Sequence, residues 1–138
     1  MNIKVRISFL WLSISVCFLL HSVYHLSELF FGIDIKTPEA NGTVPVAAHL
    51  FRIVVELGVL IMFLLSLYAK SKSYYVFSYV WAVLLGILNV VHLGGTIVSE
   101  FQEYSQLTLL AFIVVVNIFL IIDSNKCWRE LRRADSNE

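Results

Sequence analysis

The chain has 138 residues, 59% hydrophobic and 14% charged, and its ten Lys and Arg balance ten Asp and Glu. A mean hydropathy of +0.81 excludes an ordinary water-soluble domain. Two prolines and six glycines leave little chain for loops, and there is no phosphate loop, activated nucleophile or nucleic-acid patch.

A bilayer core about 30 Å thick calls for roughly 20 apolar residues per helix. Four stretches meet that length: about Ile7 to Gly32, Val46 to Ala69, Tyr74 to Val98, and Tyr104 to Ile122. They predict an all-α fold, an integral membrane antiparallel four-helix bundle that forms a single transmembrane domain with a basic tail over 123–138.

The first stretch opens with Lys4 and Arg6 before an apolar run, as a secretory signal does. That run leads into His-Ser-Val-Tyr-His, not a small-x-small cleavage site, and apolar residues resume through Phe31. It reads as a retained helix with Cys17 as a packing residue in its middle. The loop from Ile33 to Pro45 carries Thr-Pro, Asn-Gly and Val-Pro breakers. Asn41-Gly42-Thr43 matches the glycosylation pattern and also a tight Asn-Gly turn, and the turn is the favoured reading. Lys70 to Ser73 is a short polar turn that makes spans two and three antiparallel neighbours.

Charge orients the bundle. Lys4, Arg6, Lys70, Lys72, Lys126, Arg129, Arg132 and Arg133 share one side, whereas Asp34, Lys36, Glu39, Glu100 and Glu103 share the other. The positive-inside rule makes the first side, with both termini, cytoplasmic. Trp128 and the basic tail suit anionic headgroups. Cys127 reads as a free thiol at the inner face, too far from Cys17 for a disulfide.

In this threading all four histidines, His21, His25, His49 and His92, lie in the outer half, together with Glu28 and Glu56. Ionisable groups inside a bilayer are costly and point to function. His21, His25 and Glu28 sit about 15, 10 and 5 Å below Gly32, and their spacing of four and three puts them on one helical stripe. His49 and Glu56, seven apart, fall close to one face of the second helix, with Glu56 level with His21. Asn89, His92 and Thr96 form a third stripe, followed by Gly94 and Gly95, which allow close approach of a helix or a flat cofactor. Arg52 is expected to pair with Glu28, Glu56 or an anionic ligand group. Gln106, Thr108 and Asn117 make the fourth helix a packing wall.

Imidazoles with carboxylates suit a transition metal, zinc, copper, iron or manganese. The metal ligand set is drawn from His21, His25, His49, His92, Glu28 and Glu56, with Arg52, Asn89 and Thr96 as supporting groups. The alternative cofactor is a b-type haem held by His21 or His25 with His92, its edge at Gly94 and Gly95. Haems in series across the bilayer would need histidines in the inner half, and there are none. The remaining readings are a proton or ion pathway, and an accessory subunit whose polar cluster only fastens helices together.

From Phe51-Arg-Ile-Val-Val-Glu-Leu-Gly through Lys70 to Val91-His-Leu, spans two and three resemble the DoxX-like small four-helix membrane proteins. The resemblance covers about half the chain. It implies accessory or electron-transfer roles near quinone and sulfur redox chemistry. The His21-x3-His25-x2-Glu28 element is not part of it. The sequence thus leads to a membrane protein with an outer-half metal site serving redox or electron transfer, with quinone or a larger complex as partner. The expected location is the bacterial inner membrane, with the histidines on the periplasmic side.

Overall fold

The computed structural model describes residues 2–36, 40–69, 71–99 and 101–135. Of the charges used to orient the chain, Glu39, Lys70 and Glu100 lie outside the described residues. Helix α1 (Ile3–Ser27) starts at Asn2, whose side chain accepts from the Lys4 amide at 3.0 Å. It tightens into a 3-10 turn over Glu28–Phe31 and stops at Gly32, whose φ of 77° a side chain would resist.

The second span, Val46–Tyr68, is built from α2 (Val46–Phe51), a π-helical turn (Arg52–Leu57) and α3 (Gly58–Tyr68). The Ser71 hydroxyl accepts from the Tyr74 amide at the start of α4 (Lys72–Ser99). Helix α5 (Tyr104–Asp135) runs unbroken through the basic segment. At 32 residues it is about 48 Å long, so it passes well beyond a bilayer core. Residues 123–135 of the expected basic tail are the last turns of this helix, and 136–138 lie outside the described residues.

All four spans are long and apolar enough to cross a membrane, and the protein is a multi-pass, all-α four-helix bundle. Helix α1 packs on α3 and α5, and α5 packs on α4. Large apolar side chains such as Leu19, Leu64, Leu84 and Phe112 face outward, where lipid replaces water as the surrounding medium.

The tightest packing lies at the end of the bundle that carries the termini. Ile7, Trp11, Ile14, Val59, Met62, Tyr75, Ala82, Leu85 and Leu120 form one buried cluster. Most polar groups within it are paired, as a dry interior favours, the Trp81 indole nitrogen at its edge being the exception. The Trp11 indole donates to Ser78 at 3.1 Å, Ser78 meets Ser124 at 3.1 Å, and Ser66 donates to Ser8 at 2.7 Å. Arg6 holds the buried Asp123 with both Nε and Nη2. These bonds set α1, α3, α4 and α5 in register and place the N-terminus beside the far turns of α5.

Toward the opposite end the core thins to Cys17, Leu109, Leu110 and Ile113. The first half of the second span is largely exposed from Phe51 through Leu57 except at Val55. The gap between it and the other helices defines the cavity described below.

Candidate metal centre

Helical periodicity brings His21, His25 and Glu28 onto one stripe of α1, as their spacing requires. The 3-10 turn begins at Glu28, and the Glu28 carboxylate lies 3.3 Å from Nδ1 of His25. That contact leaves Nε2 of His25 free. From α4, His92 reaches across so that its Nε2 lies 3.2 Å from Nε2 of His21. His21 is the middle ring of three: its centroid is 4.7 Å from that of His25 and 5.1 Å from that of His92, with near-perpendicular planes in both pairs.

The 3.2 Å separation is that of a hydrogen bond between the two imidazoles, its direction set by their tautomers, and the same spacing suits two donors on one ion. Two nitrogens on one tetrahedral ion, each about 2.05 Å from it, stand about 3.3 Å apart. Two imidazoles on opposite sides of one iron stand about 4 Å apart by the same bond length, and a porphyrin plane must lie between them. Among the described residues, no set of three or more His, Cys, Asp or Glu side chains already stands in a metal-holding arrangement. His25 is the ring nearest the pair that could turn in as a third donor.

The other expected participants separate. His49 is exposed on α2 and has no ring contact with the cluster. Arg52 is exposed, and among the described residues it forms no ion pair with Glu28 or Glu56. The physical reason is the π-helical turn over Arg52–Leu57. A wider turn rotates the residues that follow it, so the seven-residue spacing of His49 and Glu56 does not align them as in a continuous α-helix. Glu28 is engaged by His25 instead.

Glu56 lines a cavity of about 380 Å³ together with His21, Asn89 and His92. Glu56 is exposed at the open side of that cavity and forms no ion pair or hydrogen bond with the imidazoles among the described residues. Phe18, Phe51, Val55 and Leu88 supply the apolar wall. A volume of this size takes a small lipid-soluble molecule, and two of the three clustered histidines border it.

Asn89 donates to Asn117 at 3.0 Å, and Asn117 donates to the Ala82 carbonyl at 2.7 Å. The buried Thr96 hydroxyl is spent on the His92 carbonyl of its own helix. Neither group turns toward an imidazole nitrogen. A side chain added at Gly94 or Gly95 would meet nothing within 4 Å, so among the described residues no helix uses the close approach those glycines permit. The tight glycine is Gly86, where an added Cβ would lie 3.3 Å from Ile121 and 3.4 Å from the Asn117 amide.

The site also contains a residue assigned by its sequence to a packing wall. Gln106 is 1% exposed, neither of its amide atoms has a hydrogen-bond partner, and it lies close enough to His21 to act on that ring. Its signal in the sequence was an amide inside an apolar span, which is costly unless it has a use. No protein-family model, curated protein or solved structure matches this chain.

Proposed function

We propose that this protein holds one transition-metal ion between His21 and His92 and serves membrane redox or electron transfer. The observation that carries the reading is the 3.2 Å separation of the two Nε2 atoms, which suits a tetrahedral ion and is too short for a haem iron between them. His25 is the third donor, oriented by Glu28 in the way carboxylates orient metal-bound imidazoles. Redox service selects copper, iron or manganese from the metals that imidazole and carboxylate suit, because zinc has no redox chemistry. The adjoining cavity gives a lipid-soluble electron partner of the quinone class a place beside the ion. The DoxX-like pattern of spans two and three belongs to the same reading.

The charge asymmetry supports an orientation with both termini in the cytoplasm, and we take the membrane to be a bacterial inner membrane with the histidines toward its periplasmic face. Elemental analysis and an absorption spectrum of protein purified without chelator test the cofactor. Stoichiometric metal without a Soret band is the expected result. A Soret band transfers the site to haem, and protein that neither carries nor takes up metal ends the proposal.

A second reading is an accessory subunit of a larger membrane complex. It is favoured by the exposure of both Arg52 and Glu56 within an apolar span, since charges facing lipid gain from being covered by a partner. Cross-linking in native membranes from cysteines at these two positions tests it. Absence of any cross-linked product counts against a covered face.

A further inference from the structure

Four buried side-chain nitrogen or oxygen atoms among the described residues lack a hydrogen-bond partner, and three of them belong to one pair: Nδ1 of His21 and both amide atoms of Gln106. Leaving a buried amide unpaired is unfavourable, and an apolar side chain of similar size would avoid the penalty. Gln106 comes from α5, and His21 comes from α1. The two side chains lie close enough to act on each other, and neither Nδ1 of His21 nor either amide atom of Gln106 has a hydrogen-bond partner.

The chemistry of a metal-bound imidazole explains the pairing. For Nε2 of His21 to present its lone pair beside Nε2 of His92, the ring proton must sit on Nδ1. A buried Nδ1–H needs an acceptor, and ligating histidines characteristically donate that proton to a carboxylate, carbonyl or water. His25 has Glu28 at its own Nδ1, 3.3 Å away. Nδ1 of His21 has no such partner, and the amide that lies near its ring is that of Gln106.

We propose that Gln106 is a positioning residue for His21: its Oε1 accepts the Nδ1 proton and thereby holds the tautomer whose Nε2 lone pair faces His92 and the metal. This rests on the metal-site reading. It also accounts for an amide in a position where leucine would pack without polar cost.

The test uses the full chain in detergent micelles, with Co²⁺ as the probe read by its visible absorption. Wild-type protein is expected to take up one Co²⁺. Gln106→Leu is expected to bind it about 10- to 100-fold more weakly, while its thermal midpoint stays level or rises. Gln106→Glu, which keeps an acceptor at the same reach, is expected to restore binding. Nitrogen-15 spectra of His21 are expected to show the Nδ1–H tautomer in the wild type and its loss in Gln106→Leu.

Co²⁺ uptake by Gln106→Leu equal to that of the wild type overturns the positioning role and leaves the metal site standing. Equal weakening of the Leu and Glu variants with a lowered thermal midpoint also overturns it, in favour of packing. An Nε2–H tautomer in the wild type overturns it without reference to any metal. Wild-type protein that takes up no Co²⁺ removes the metal reading and this inference with it.

Discussion

Arg6 and Asp123, 117 positions apart, form a two-pronged ion pair that ties the first turns of α1 to α5. The Asp123 side chain is only 3% exposed, whereas that of Arg6 is 46% exposed, so the carboxylate depends on the guanidinium for its solvation. Removing one partner strands a buried charge, while the reverse arrangement of charges retains the attraction. Arg6→Ala is expected to lower stability by about 1–3 kcal/mol. The exchange Arg6→Asp with Asp123→Arg should recover part of that loss, as measured by denaturant unfolding in micelles. A double variant no better than the sum of its single changes would show that the pair contributes little.

The histidines divide into three classes. His21→Ala and His92→Ala should abolish metal retention, a larger effect than the roughly 10- to 100-fold contributed by supporting partners. His25→Ala should weaken retention, since His25 is the donor that must turn in. His49→Ala and Cys127→Ala should leave it unchanged, because His49 stands apart and Cys127 is buried in the core at the terminal end. Metal content after gel filtration is the measurement, and loss of metal in His49→Ala would contradict the arrangement described.

Glycines provide a contrast in packing. Gly86→Val is expected to cost about 1–3 kcal/mol by overpacking, because even a single added carbon meets Ile121 and Asn117 at 3.3–3.4 Å. Gly94→Ala and Gly95→Ala have open space and should be neutral or stabilising by up to about 1 kcal/mol through helix propensity. Thermal unfolding of the three variants in parallel checks the order. Destabilisation by Gly94→Ala would mean that another molecule packs there.

Topology is open to chemical labelling. In a background with Cys17→Ala and Cys127→Ala, a cysteine at Asn41 should react with a membrane-impermeant maleimide in intact spheroplasts. A cysteine at Glu130 should react only after permeabilisation. The reverse pattern would place the histidine cluster on the cytoplasmic side.

The four spans and the His21, His25 and Glu28 stripe were legible in the sequence because both depend on local properties. Apolar length matches bilayer thickness, and helical periodicity assigns residues three and four apart to one face. Span limits accordingly agree closely at Val46–Tyr68 and Lys72–Ser99, and His25 meets Glu28 as its spacing requires. The π-helical turn at Arg52–Leu57 was not legible, since no proline or glycine lies within it and its wider hydrogen bonding depends on the surrounding helices.

Relations between helices were decided only in the tertiary structure. Composition establishes that His21, His49, His92 and Gln106 lie in membrane spans, but each helix can rotate about its axis without changing that fact. Packing of α1 against α3 and α5, and of α4 against α5, fixes those rotations. It brings His21 to His92, buries Gln106 beside them and leaves His49 outside. The sequence alone therefore determined a four-helix membrane protein with histidines concentrated toward one end, and side-chain packing between helices determined which of them lie together.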